Sequence, residues 1–192
     1  MLRLWTIDSG EEKKESGTDR DLIPLATPLM ASGYTPSGME FLTDKMKDFN
    51  MVPYSAASAG VDEMPRPLEA GGAVSATLVT GDLKLGAVGT VTYVDKDHMV
   101  AFGHPFLDKG SSSYFMHNSY IFTVVPSRNI PFKLGSVGAE IGMVNEDRGS
   151  GISGLSGKVP ESVRLHSSVL DEDTGRTQSL NVRMVQNERM LP

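Results

Sequence analysis

Short runs of β-branched and aromatic residues, separated by turn-forming residues, fill the chain from residue 73 almost to its end. The stretch 73–106 reads AVSATLVTGDLKLGAVGTVTYVDKDHMVAFGHPF and is broken at Gly-Asp, Gly-Ala and Asp-Lys-Asp. Val, Thr and Tyr favour strands, whereas Gly and Asp favour turns. Short strands with a turn every eight to twelve residues or so predict an antiparallel β-barrel or sandwich.

One hairpin is predicted in detail, with strands at residues 90–94 and 99–102 and a polar turn at residues 95–97. The same composition predicts further strands within residues 119–127, 131–144, 161–171 and 178–186.

The N-terminal part differs from the β-rich part. Residues 1–20 are interpreted as a fragment of an amphipathic helix followed by a charged flexible linker, because residues 8–20 contain no apolar side chain. Residues 21–192 are predicted to form a single β-rich domain. Its one expected helix covers about 37–49, where apolar residues recur at helical spacing, with Ser37 as the expected N-cap.

Composition excludes several functions. The 192 residues carry a net charge of −6 without a Lys/Arg cluster, which argues against a nucleic-acid partner. The absence of cysteine excludes disulfides, thiolate catalysis and cysteine-ligated metals. Apolar stretches are too short to span a bilayer, so no transmembrane segment is predicted. No cofactor is expected.

His104 is the best candidate for chemistry, because it lies in a Gly-His-Pro corner directly after a predicted strand. Histidine serves as a general base near neutral pH, and a strand end would place it on a fixed scaffold. It could instead be a partly buried ring with one satisfied nitrogen that completes a turn. A metal site is not predicted, because the four histidines lack ligand spacing and the nearby aspartates occupy turn positions.

Residues 147–157, DRGSGISGLSG, offer Ser150 and Ser153 as weaker candidates for a nucleophile. Glycine neighbours would let a substrate approach, but no Gly-X-Ser-X-Gly elbow is present and the pattern is also ordinary for a loop. Asp147 is a further weak candidate, with an ion pair to Arg148 as its structural alternative.

Three strings in this order resemble the SpoIVB-type serine peptidases of spore-forming bacteria and their longer relatives. They are Gly-Thr-Val-Thr-Tyr at 89–93, Ala-Phe-Gly-His-Pro at 101–105, and the pattern from Gly142 through Asp147-Arg148 to Gly154. The upstream string IPLATPLMASG also looks like the longer relatives, so the resemblance covers about residues 22–170.

The resemblance implies a trypsin-like double β-barrel, or part of one, with His104 as the catalytic general base. It also implies a bacterial envelope or secreted location and a peptide or protein substrate. The family's serine lies in a Gly-Met-Ser-Gly-Ser-Pro string, preceded by an aspartate that orients the histidine, and no Ser-Gly-Ser-Pro string occurs in this chain.

In the longer relatives the nucleophile segment can precede a stretch that would fall just before residue 1 of this chain. The chain is therefore expected to begin downstream of its nucleophile, or to be a homologue that has lost catalysis. Either way, a histidine without its nucleophile cannot form an acyl intermediate, and the chain alone is expected to be inactive. The alternative function is a non-catalytic β-barrel module that recognises peptides or proteins.

Overall fold

A computed structural model describes residues 27–49, 51–56, 65–126 and 132–186 of the protein. The predicted helix fragment and linker at residues 1–20 lie outside the described residues. Strands dominate the described part, in this order: β1 Thr27–Ser32, β2 Met51–Ser55, β3 Ala73–Gly81, β4 Lys84–Asp95, β5 His98–Ala101, β6 Gly110–Val125, β7 Phe132–Arg148, β8 Gly151–Ser156, β9 Ser162–Asp171 and β10 Arg176–Val185.

The predicted helix is present as α1, Pro36–Met46, and a 3-10 turn continues it over Lys47–Phe49. Its N-cap is Thr35 and not Ser37 as expected, because the Thr35 hydroxyl accepts the Gly38 N–H at 3.1 Å. Pro36 is preset for the first helical position, so the cap is the residue before the proline. None of the described helices is long and apolar enough to cross a membrane.

All ten described strands belong to one sheet in the order β2-β1-β4-β5-β8-β7-β6-β3-β10-β9. Because β3 also pairs with β4, six strands (β3 to β8) form a partial ring within the sheet. The pairs β1–β2 and β9–β10 extend from it on either side. The prediction of a mainly β fold with one N-terminal helix is confirmed, and so is the hairpin of β4 and β5.

The buried core has side chains from the partial ring, β1, β2, β10 and α1. Its largest fully buried hydrophobic members are Phe115, Leu29, Met30, Met99, Met116 and Ile152.

The long β6–β7 hairpin also lies against β4. Lys84 Nζ donates to the Val137 carbonyl at 2.9 Å, and Lys133 Nζ donates to Thr90 Oγ1. These two bonds hold the first part of β7 against β4. Strand β4 is the first strand of the β4–β5 hairpin, which leads into the Gly-His-Pro corner.

Candidate active site at the histidine corner

The segment that follows β5, residues 102–107, is called the histidine corner below. Its first two residues both have a positive φ of 75°, Phe102 and Gly103. Glycine adopts this conformation readily, but a phenylalanine there stores strain that the surrounding structure must offset. Such outliers cluster at functional sites, so the strain at Phe102 draws attention to this corner.

Two contacts with β4 hold Phe102 in place. Its N–H donates to the Thr90 carbonyl at 2.9 Å. Its ring lies directly over Gly89, where an added Cβ would come within 2.2 Å of the Phe102 Cδ1 atom. The glycine of the Gly-Thr-Val-Thr-Tyr string therefore leaves the space that the Phe102 ring occupies.

His104 is exposed at the tip of the corner. Its Nδ1 lies 2.8 Å from the Pro105 carbonyl oxygen, which can only accept, so Nδ1 carries the proton. In the neutral ring Nε2 is then the acceptor, and among the described residues no partner occupies it. The ring is satisfied at one nitrogen, as the structural interpretation expected, but it is not buried. Its centroid lies 5.6 Å from that of Phe102.

Asp147 is fully buried and fixes the other side of the corner. Its two carboxylate oxygens accept the N–H groups of Phe106 at 2.8 Å and Leu107 at 2.7 Å. The Tyr114 hydroxyl donates to the same carboxylate at 3.4 Å. Burial, with a contribution from Asp147, raises the pKa of Tyr114 to about 12, so this hydroxyl remains a donor at neutral pH. Asp147 therefore positions the histidine corner through its backbone and does not contact the imidazole.

The alternative ion pair between Asp147 and Arg148 is wrong. Arg148 pairs with Glu146 at 2.8 Å instead. Successive side chains of a strand point to opposite faces, so Arg148 shares a face with Glu146 while Asp147 points inward.

Aromatic rings connect the corner to the core. Phe106 is buried, and its ring makes an edge contact with Phe102 at a centroid distance of 6.5 Å and with Tyr114 at 5.8 Å. Edge-to-face pairs at these distances stabilise a cluster beyond the area they bury. The histidine corner is thus anchored on both sides of His104.

The two candidate serines lie near the corner in space but form no hydrogen bond with His104 within the described residues. Ser150 is exposed in the turn between β7 and β8, and Ser153 on β8 donates to Asn145 Oδ1 at 3.1 Å. The turn is beside the corner, because a Cβ on Gly151 would lie 3.4 Å from the Gly103 nitrogen. Within the described ranges, neither serine hydroxyl has a hydrogen bond to the imidazole.

The other histidines lie elsewhere. His98 bonds Asp97 at 2.8 Å and His166 bonds Asn181 at 2.7 Å, both on the surface, whereas His117 is buried in the sheet. Within the described residues, no group of three or more His, Cys, Asp or Glu side chains could hold a metal ion.

Sequence reasoning missed the roles of Phe102, Gly89 and Tyr114, and it proposed the wrong partner for Asp147. The bond from Phe106 to Asp147 joins residues 41 positions apart, so no local pattern reveals it. No sequence signal was available, because the strand predicted within residues 131–144 stops before Asp147, whereas β7 continues to Arg148.

In comparisons with family models, with curated proteins and with solved structures, nothing matches this chain. The case for a function therefore depends on the corner itself: a strained backbone, a buried carboxylate that fixes it, and an exposed imidazole whose Nε2 has no hydrogen-bond partner among the described residues.

Proposed function

We propose that this chain is the histidine-bearing part of a SpoIVB-type serine endopeptidase, with His104 as the general base. The observation that carries the proposal is the Nδ1 bond from His104 to the Pro105 carbonyl. This bond sets the tautomer in which Nε2, the atom that must accept the proton of an attacking serine, is unprotonated. The motifs Gly-Thr-Val-Thr-Tyr and Ala-Phe-Gly-His-Pro, which carry the resemblance, meet in this corner.

In this mechanism, Nε2 of His104 takes the serine proton as the hydroxyl attacks the peptide carbonyl. It then gives the proton to the leaving amine. The Pro105 carbonyl orients the imidazole, and Asp147 acts as a positioning residue through Phe106 and Leu107. The serine comes from a segment that carries the family's Ser-Gly-Ser-Pro string, so the chain by itself forms no acyl intermediate. By the same resemblance, the partial ring corresponds to one barrel of a trypsin-like fold.

The test compares the 192-residue chain with a longer protein that carries a Gly-Met-Ser-Gly-Ser-Pro segment ahead of residue 1. We expect a serine-reactive fluorophosphonate to label only the longer protein, which also cleaves an unfolded protein substrate. His104→Ala in the longer protein should abolish both reactions. The matched control is His98→Ala, which removes another exposed histidine at the start of β5 and should leave both reactions intact.

Two outcomes contradict the proposal. If the longer protein carries the segment, folds and neither labels nor cleaves, His104 is not a base. If the 192-residue chain itself labels, the nucleophile is in this chain, and Ser150→Ala and Ser153→Ala identify it.

The second candidate function is a non-catalytic module that recognises peptides or proteins. It is favoured by β9, which pairs with β10 along one edge and leaves the other edge unpaired among the described strands. Val163, Leu165 and Val169 on this strand are exposed. An open strand edge can add a peptide as a further strand. Absence of reaction in the longer protein would leave this function as the better account.

A further inference from the structure

A second candidate site lies at the other end of β8 from the histidine corner. Gly151 begins the strand beside the corner, and Ser156 ends it, so the two places are roughly 17 Å apart along the strand. An open groove of about 610 Å³ lies there. Its lining combines apolar walls, formed in part by Leu68, Ile141 and Val159, with four cationic side chains and one carboxylate.

The groove carries more positive charge than its own carboxylate neutralises. Glu140 binds Arg183 through two hydrogen bonds of 2.9 and 3.2 Å. In the part of the chain that the structure describes, Arg66, Lys158 and Arg164 have no ion pair. This local excess occurs in a protein whose net charge is −6.

Two of these cations lie directly opposite each other on neighbouring strands, since Arg164 of β9 faces Arg183 of β10 in the register. Like charges in directly opposed positions destabilise a sheet. Glu140 relieves only Arg183, which also lies 4.7 Å from the centre of the Phe115 ring. Arg164 is exposed and has no opposite charge beside it among the described residues, and an anion in the groove would supply one.

Two hydrogen bonds to the backbone of Arg66 hold this residue at the groove. The side chain of the buried Asn118 bonds its backbone in both directions, accepting the Arg66 N–H at 2.8 Å and donating to the Arg66 carbonyl at 3.0 Å. A side-chain amide thus takes the place of a paired strand and fixes the segment 65–68. The cation of Arg66 is therefore presented from a backbone that is already ordered, which lowers the entropic cost of binding.

We propose that this groove binds an acidic peptide segment, with carboxylates on Arg66 and Arg164 and apolar side chains against Leu68, Ile141 and Val159. Arginine binds a carboxylate through two parallel hydrogen bonds, as it also binds a phosphate, so the apolar walls of the groove must distinguish a peptide from an inorganic anion. A groove of about 610 Å³ holds several side chains, and a single inorganic anion would leave its apolar walls uncovered. The proposal goes beyond the role of His104 and does not depend on it.

The experiment measures fluorescence anisotropy of a labelled peptide, Glu-Leu-Asp-Leu-Glu, with the full 192-residue chain. We expect saturable binding that weakens with added salt, and binding about tenfold or more weaker for the amide analogue Gln-Leu-Asn-Leu-Gln. The double variant Arg66→Gln/Arg164→Gln should weaken binding of the acidic peptide by a similar factor. The matched control is Arg176→Gln, which removes a cation of the same kind from the far end of β10 and should change the Kd less than about twofold.

Thermal unfolding of the same variants separates binding from folding. Removing Arg164 also removes a like charge opposite Arg183, so we expect the double variant to keep or slightly raise its Tm. Loss of binding together with a lowered Tm would mean that the two arginines serve the fold and would overturn the proposal.

Three further results would also overturn it. One is equal binding of the acidic and amide peptides. Another is displacement of the peptide by inorganic phosphate at equal concentration, which would assign the groove to small anions. The third is failure of the peptide to bind while the double variant abolishes self-association in sedimentation, which would assign the groove to a second copy of this chain. Each result leaves the test of His104 unaffected.

Discussion

Single buried polar side chains affect the stability of this protein, and the buried His117 should make that stability depend on pH. It is almost fully buried on β6, and its Nδ1 lies 3.2 Å from the Gly138 carbonyl. Burial lowers the pKa of His117 from 6.5 to about 4; the Gly138 carbonyl opposes this, and the charges of Lys84 and Arg183 add to it. Between these two values the unfolded chain binds the proton more readily than the folded chain.

The free energy of unfolding should therefore fall as the pH is lowered from 6.5 to 4, with a contribution from His117 of about 3 kcal/mol. Below pH 4 the contribution is fully lost. His117→Gln should flatten this part of the pH profile in urea unfolding followed by circular dichroism. His166→Gln, at an exposed site, is the control and should retain the wild-type slope. An unchanged slope in His117→Gln would show that other groups cause the acid sensitivity.

Asp147 is the second residue whose chemistry can be tested alone. Asp147→Asn places an amide donor against the N–H of Phe106 or Leu107, so at least one buried donor loses its acceptor. We expect a loss of about 3 kcal/mol in stability, measured by chemical unfolding. Asp108→Asn, at an exposed position directly after the histidine corner with a φ of 53°, should be nearly neutral because Asn tolerates this conformation. Equal effects of the two substitutions would contradict the role assigned to Asp147.

At the scale of elements, the sequence predicts what local patterning determines. The β4–β5 hairpin could be predicted because an Asp-Lys-Asp turn separates two β-branched runs, and α1 because its apolar residues recur at helical spacing. Strands β1 and β2 were not predicted, because each contains a proline, Pro28 or Pro53, and proline is unfavourable within a strand. Both prolines are tolerated: β2 pairs only with β1 among the described strands, and the β1–β4 ladder covers only Met30–Ser32.

The histidine corner shows which features local sequence patterns do not predict. Its motif made His104 a candidate, but the contacts that shape the corner come from other strands: β4, and β7 at a separation of 41 residues. Gly89 and Asp147 are such residues, and their roles emerge only when the strands are paired. The groove at the end of β8 is a stronger case, because its cations come from four separate segments and form no cluster in the sequence.

The packing of the corner on β4 gives an element-scale prediction. Gly89→Ala would place a Cβ within 2.2 Å of the Phe102 ring, so the ring and the corner must shift. We expect a loss of about 1–3 kcal/mol in stability and a changed NMR shift of the His104 ring protons. Gly149→Ala, where an added Cβ meets nothing within 4 Å, is the matched control. An unchanged His104 signal in a destabilised Gly89→Ala protein would show that packing on β4 does not position the histidine corner.

For the molecule as a whole, the sheet divides into strands with neighbours on both sides and strands with fewer restraints. Every strand of the partial ring is paired on both sides, and β3 and β4 each have three partners. In contrast, β9 pairs only with β10 within the described ranges, and β10 meets β3 over just three residue pairs. Most side chains of β9 are exposed.

Local opening is easiest where few buried contacts must be broken. We therefore expect amides of β9 and β10 to exchange with solvent at a lower free energy than those of β6 and β8, measured by hydrogen exchange with mass spectrometry. Moderate urea should widen this difference and leave the histidine corner protected, because its Phe106 and Leu107 amides are bonded to Asp147 on β7. Uniform protection across all ten strands would mean that β9–β10 unfolds only with the partial ring. Exchange of the corner before β9 would mean that His104 does not lie on a rigid support, which the role of a general base requires.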